Sequence, residues 1–263
     1  MERMAREIRC SILDICYKSH TGHIGPALSI VDILTVLYFE ILHVNPKKPD
    51  FPLRDRFILS KGHAVAALYA TLFHRGFFSK KQLFTYCQDK SIFGMHPDYN
   101  PGLGIELTTG SLGHGLSVGV GMALGLFKRT RVYILVSDAE LNEGSVWEAI
   151  MFASQHHLDN LTVIVDDNGQ QAFGKTEHII NLRPIEDKWK AFGWETVCVD
   201  GHSIPALLNV LKDLPLRKGK PSVVIAQTIS GKGVSFMEGM VDWHYWPLDE
   251  KKYQHALKDV KNS

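Results

Sequence analysis

Short, almost uninterrupted apolar runs, each followed by an amphipathic stretch, constrain this chain more than any other feature. Residues 132–136, 161–165, 195–199 and 222–227 have strand length, and stretches with helical spacing at 145–157, 184–192 and 204–214 stand between them. A strand with one wet face alternates apolar and polar residues, whereas a strand apolar throughout has both faces covered. Strands of that second kind, alternating with helices, predict an α/β fold: a three-layer, doubly wound parallel sheet. A length of 263 residues is enough for one such domain.

The first half is less regular. Ala5, Ile8, Ile12 and Ile15 recur at three- and four-residue spacing, which predicts an amphipathic helix. Ser29 with Asp32 reads as a cap and first-turn acid for a second helix, whose apolar face would carry Ile30, Ile33, Leu34, Leu37 and Ile41. A Pro-rich link at 45–52, a strand at 57–60, a helix at 64–73 and a Ser79–Gln82 capping pair follow. Residues 94–115 read as Gly-rich loop, then a small-residue helix runs to Gly125, and the tail beyond Trp246 reads as polar and peripheral.

Composition excludes several classes. Twenty-nine basic against 28 acidic residues leave a formal charge of +1, with no electrostatic case for nucleic acid or anionic membrane. No apolar stretch has the length of a membrane span, and residues 1–16 lack the apolar core of a signal peptide. Cys10, Cys16, Cys87 and Cys198 form no C-x-x-C pair, so reduced thiols in a cytoplasmic protein are the expectation.

Ligands of such sheets bind at the carboxyl ends of the strands. The run 132–136 ends in Ser137-Asp138-Ala139-Glu140, and the run 161–165 ends in Asp166-Asp167-Asn168-Gly169. Neighbouring strands would therefore bring Asp138 and Asn168 together. One carboxylate and one amide oxygen suit a hard cation such as Mg²⁺ that keeps other ligands from water or phosphate. Asp and Asn are also common turn formers, so this pair alone does not separate the two readings.

The flanking residues do. Residues 137–144, Trp147-Glu148-Ala149, Leu158-Asp159-Asn160-Leu161 and Asp167-Asn168-Gly169 closely resemble the thiamine diphosphate signature of the transketolase family. Collinear blocks agree: residues 21–25, Ser60-Lys61-Gly62-His63-Ala64, Gly94-Met95-His96-Pro97, residues 108–115, Lys232-Gly233-Val234 and Trp243-His244. The resemblance covers about residues 4–246 and identifies the diphosphate-binding (PP-type) domain.

That resemblance implies thiamine diphosphate and Mg²⁺, or Ca²⁺ or Mn²⁺ in its place, as cofactors. Asp138, the side-chain oxygen of Asn168 and the backbone carbonyl of Gln170 would hold the metal. His63, His244, the Ala139 N–H and the motif's Glu140 would serve the diphosphate side, with Gly110 and Leu112 lining the thiazolium end. His23, His96 and His244 would surround the reacting carbon, where an imidazole suits proton transfer near neutral pH. Glu143 would sit in a carboxylate network at a subunit interface, although a first-turn acid also simply favours the helix dipole.

The implied activity is transfer of a two-carbon ketol unit from a ketose to an aldose. The resemblance also implies that residues 1–263 are one domain, with the pyrimidine and C-terminal domains of a complete transketolase on another polypeptide. The expected assembly is a heterotetramer with two copies of each chain, acting on sugars or sugar phosphates. A deoxyxylulose-phosphate synthase-like or 2-oxoacid dehydrogenase-like enzyme is a competing reading, as is a non-catalytic regulatory subunit. Three departures bear on the choice. Ser137-Asp138-Ala139 replaces the usual Gly-Asp-Gly, His114 stands where glutamine is common, and Tyr245 where glycine is common. The Gly113-His114-Gly115 run is no dinucleotide fingerprint, because it lacks the third glycine and no strand precedes it.

Overall fold

A computed structural model describes residues 1–126 and 129–262. The helices α1 (Glu2–Ser19), α2 (Ile24–Ser29) and α3 (Val31–Val36) come first, and a π-type turn at Leu37–Ile41 ends them. Strand β1 (Arg56–Leu59) leads into α4 (Val65–Arg75), α5 (Lys80–Leu83), a long loop and α6 (His114–Gly125). The regular part then follows: β2 (Val132–Ser137), α7 (Gly144–Gln155), β3 (Leu161–Asp167), a hairpin of β4 (Gln170–Gln171) and β5 (Gly174–Lys175), α8 (Thr176–Ile179), α9 (Ile185–Ala191), β6 (Glu195–Asp200), α10 (Ile204–Lys212), β7 (Ser222–Gln227) and α11 (Glu250–Asn262).

Five strands form one parallel sheet in the order β1-β2-β3-β7-β6. Strands β2 and β3 are buried along their whole length, which explains their continuous apolar character. Pleating splits β1, β2, β3 and β7 between two cores, whereas the edge strand β6 packs on one side only. Phe57, Leu59, Tyr133, Leu135, Ile164, Val224 and Ala226 face the layer of α1, α2, α3, α4, α10 and α11. Ile58, Val132, Ile134, Val136, Val163, Val165, Val223 and Ile225 face α6, α7 and α9. The predicted three-layer α/β sheet is the fold.

Two local expectations differ. Ser29 caps nothing: it ends α2, fully buried, and its hydroxyl donates to Asp166 Oδ2 at 2.9 Å. Asp32 does stand in the first turn of α3, buried and held by Arg9 at 2.6 Å and His202 at 2.9 Å. The residues after Trp246 are not peripheral. Helix α11 buries Ala256 and Val260 in the larger core, stacks Tyr253 on Tyr17 and accepts from Ser235 through Asp259 at 2.6 Å. Its apolar positions are too few for a hydrophobic run, yet they repeat at helical spacing. Among the described residues no helix is long and apolar enough to cross a membrane.

Candidate active site

Strands β2 and β3 are neighbours in register, with Ser137 opposite Asp166, so Asp138 and Asn168 emerge side by side at the carboxyl edge of the sheet. A cleft of about 360 Å³ opens there, lined among others by Lys61, His63, Leu112, Ala139, Glu143, Asn168, Gln170 and His244. Asp138 lies beneath it, 1% exposed. Its Oδ1 accepts from the Ala139 N–H at 2.9 Å and its Oδ2 from the Thr176 hydroxyl at 2.7 Å. Burial, with smaller contributions from Asp166 and Asp167, pushes its pKa up to about 7 against the hydrogen bond from Thr176.

Three carboxylates crowd this edge, and two have a cation. Asp166 is paired with Lys61 at 2.6 Å, and Asp167 with Arg183 at 2.7 Å. Among the described residues Asp138 makes no ion pair, and a buried carboxylate without a counter-charge fits a cation. No three His, Cys, Asp or Glu side chains converge as a metal cluster among the described residues. The donors here are one carboxylate, one amide and backbone, a set that suits a hard ion completing its shell with phosphate oxygens.

Asn168 is ordered by both ends of its amide: Nδ2 donates to Asp166 at 2.9 Å and Oδ1 accepts from the Gln170 N–H at 2.9 Å. Gln170 begins the small hairpin, paired with Lys175, and its side chain donates to the Gly239 carbonyl. The Ala139 N–H is engaged by its neighbour Asp138 and makes no bond beyond that turn among the described residues. Glu140 faces inward, fully buried, and accepts from Ser60 at 2.5 Å, Gly113 N–H at 2.9 Å and Ser137 N–H at 3.0 Å. Burial raises its pKa. It thereby fastens the loop that carries Gly110 and Leu112, and its influence on a ligand runs through that loop. Gly113 sits at φ +84°, and a β-carbon there would come 2.8 Å from Glu143 Cβ, so this position demands glycine.

The four motif histidines come from four distant segments and meet. Ring centroids of His23 lie 5.3 Å from His63, 5.3 Å from His244 and 6.3 Å from His96, and His63 is 5.1 Å from His244. Two turns are locked together to achieve this. The His23 N–H donates to the His244 carbonyl at 3.0 Å, and a β-carbon on Gly22 would lie 2.4 Å from the Tyr245 carbonyl oxygen. His23 itself adopts φ 61°, a conformation rare outside glycine, and its buried Nδ1 has no partner. His96 is exposed, and Gly110 lies against its ring. Glu143, at the start of α7, is exposed and makes no ion pair among the described residues.

Burial, then the neighbouring imidazoles and Lys61, lowers these groups: His63 falls well below the usual histidine value, His244 to about 4, and His23 downward. They are neutral at working pH, each with one donor and one acceptor nitrogen. Unfolding in mild acid lets all three take up protons. Stability is therefore full above the unfolded value near 6.5 and is lost as pH falls towards the folded values. The expected slope between pH 6.5 and 5 is at most about 4 kcal/mol per pH unit for three protons, less for partial exposure. Urea titrations at several pH values measure it. A flat profile across that window, or one unchanged by His63→Gln, would contradict neutral burial.

Sequence reasoning left Lys61, Asp166 and Thr176 without roles. Lys61 lay within a quoted motif, and its burial is invisible in sequence. Asp166 and Asp167 read as loop, yet they end β3, because pairing with Ala226 and Gln227 of β7 extends the strand.

A parallel α/β sheet that presents a carboxylate, an amide and a cluster of histidines at its carboxyl edge has the architecture of a cofactor-binding domain. The family described as "Transketolase, thiamine diphosphate binding domain" matches residues 1–260. The chain belongs to the transketolase family. It is 41% identical to an apulose-4-phosphate transketolase subunit of Phocaeicola vulgatus, over 99% of this chain and 93% of that protein. It is 39% identical to a 6-deoxy-6-sulfo-D-fructose transketolase subunit of a Clostridium species, over 99% and 96%. The crystallised transketolase from Leishmania mexicana superposes with a TM-score of 0.93 at 30% identity, covering 99% of this chain and 41% of that one. The chain thus spans about two-fifths of such single-chain transketolases and nearly all of the two separate-subunit relatives. It is a transketolase-type transferase subunit, matched nearly end to end by relatives that are themselves named as transketolase subunits.

Proposed function

We propose that this chain is the diphosphate-holding subunit of a cytoplasmic two-chain transketolase, moving a two-carbon ketol unit from a ketose to an aldose with thiamine diphosphate and Mg²⁺. The observation that carries it is the convergence of His23, His63, His96 and His244 beside the cation-deficient Asp138 and Asn168. Asp138, the Asn168 amide oxygen and the Gln170 carbonyl would hold the metal. His63, His244 and the Ala139 N–H would hold the diphosphate, with Gly110 and Leu112 beside the thiazolium ring. When bound, the cofactor would supply a nucleophilic thiazolium carbon and a cationic ring that delocalises the electron pair of a broken carbon–carbon bond.

This chain's own contribution is orientation and proton movement. His23, His96 and His244 would donate to sugar oxygens and accept protons as bonds to them change. Placing them on locked turns avoids reorganisation during reaction.

The pyrimidine-binding half would come from a C-terminal partner chain, in a heterotetramer of two copies of each chain. The relatives named as transketolase subunits support this reading, as does the exposed Glu143 beside the cleft. The relatives' names carry an anionic substituent in both cases, a phosphate or a sulfo group, so ketose phosphates and sulfonates are the first substrates to screen. The test is a glycolaldehyde-transfer assay on the chain alone, on its co-purified partner alone and on both together. Activity is expected only from the mixture. Activity of the single chain, or pyruvate decarboxylation in place of ketol transfer by the pair, would overturn the reading.

A further inference from the structure

Asp166 is fully buried at the end of β3 and cannot reach a ligand, yet it is the most heavily bonded carboxylate at this edge. Its Oδ2 accepts from Lys61 Nζ at 2.6 Å, Ser29 Oγ at 2.9 Å and Asn168 Nδ2 at 2.9 Å, and its Oδ1 accepts from Thr228 Oγ1 at 2.5 Å. Those donors come from the turn after β1, from α2, from the loop after β3 and from the segment after β7. Lys61 is buried as well and is anchored a second time by the Pro26 carbonyl at 3.2 Å. A carboxylate gripped from four segments has no freedom to move.

An asparagine amide has two orientations of nearly equal shape, presenting either oxygen or NH₂ to a given direction. Only the oxygen binds a hard cation. Two partners favour the orientation that sends Nδ2 inward: the Gln170 N–H, which donates to Oδ1, and the Asp166 carboxylate, which accepts from Nδ2. Of the two, only Asp166 carries a charge, and a charged acceptor makes the stronger bond. Its negative charge is cancelled by Lys61, so it orients the amide without adding a second uncompensated charge beside Asp138. We propose that Asp166, locked by Lys61, Ser29 and Thr228, is a positioning residue that sets the orientation of the Asn168 amide and thereby the affinity for the divalent cation. This rests on the reading of Asp138 and Asn168 as metal ligands.

The probe is Mn²⁺ with thiamine diphosphate, titrated into the full chain assembled with its co-purified partner and followed by water-proton relaxation, with circular dichroism to confirm folding. Asp166→Asn should weaken Mn²⁺ binding at least about ten-fold, the usual cost of removing an outer partner of a metal ligand. In an Asn168→Asp background both side-chain termini are oxygens and no orientation remains to be set, so adding Asp166→Asn there should change Mn²⁺ binding by less than about three-fold, a result that a purely structural role does not produce. If Asp166→Asn folds and binds within two- to three-fold of the parent, or costs as much in the Asn168→Asp background, the positioning role is wrong. If it does not fold because Lys61 is left without its carboxylate, Lys61→Met/Asp166→Asn removes both charges, and binding by that variant within about three-fold of the parent overturns the proposal. Asp138→Ala separates this from the underlying reading: Mn²⁺ binding that is absent in the parent, or unaffected by that substitution, removes the metal site itself.

Discussion

Replacing Asp138 by alanine is expected to lower metal-dependent thiamine diphosphate binding by more than about 100-fold while leaving the chain folded. Asp138 is the one carboxylate of three at the sheet edge without a basic partner among the described residues. Removing it therefore leaves no buried counter-charge behind. The Ala139 N–H and the Thr176 hydroxyl each lose an acceptor, a cost of about 1–3 kcal/mol apiece. Loss of a carboxylate that burial has already pushed up to about 7 offsets much of that cost. Calorimetry with Mg²⁺ and thiamine diphosphate, beside urea denaturation of the ligand-free chain, measures both quantities. Undiminished binding would show that the cation sits elsewhere.

Lys61→Met should do the reverse. Lys61 is 0% exposed and pairs with an equally buried Asp166, so the substitution strands a carboxylate in the core. Breaking a buried pair from one side costs about 3–5 kcal/mol, a large share of the stability of an ordinary domain. Hydrogen bonds from Ser29, Thr228 and Asn168 remain and place the expected loss towards the lower end of that range. Urea denaturation of the variant should show the loss before any ligand is added. A change below about 1 kcal/mol would mean that water or relaxation solvates Asp166, against its complete burial. Together the two variants separate a site residue with little structural role from a structural residue that supports the site.

The regular part of the fold was legible because parallel strands covered on both faces leave a one-dimensional signal. Residues 132–136 and 161–165 read as strands and are strands, with their ends moved by one or two residues. Those residues matter: the extension of β3 takes in Asp166, and the side-chain period of two then points it into the sheet-covering layer next to Ser29. The N-terminal region was harder. Ser29 has the chemistry of a helix cap, and only its partner Asp166, far along the chain, tells it from one. The tail misled for the opposite reason, since Ala256 and Val260 are sparse on a polar helix and gain meaning only against α1.

The site divides in the same way. Asp138, Asn168 and the histidines stood out because a strand end or a glycine-flanked loop is where the backbone permits exposed polar groups to face a ligand. Glu140 lay in the same motif, but its carboxylate turns inward to Ser60, Gly113 and Ser137. Which member of a motif faces the cleft and which faces the frame depends on rotation about a short 3₁₀ turn, Ala139–Asn142, that no spacing rule specifies.

The sequence by itself determined the parallel α/β sheet, the edge at which ligands bind and the residue types presented there, because periodicity and strand ends are local properties of a chain. Tertiary structure alone decided that four histidines far apart along the chain share one cluster, that Lys61 and Arg183 neutralise two of three carboxylates, and that the third has no basic partner among the described residues. Those are facts about distance and burial, and both are set by packing between segments that no local pattern brings together.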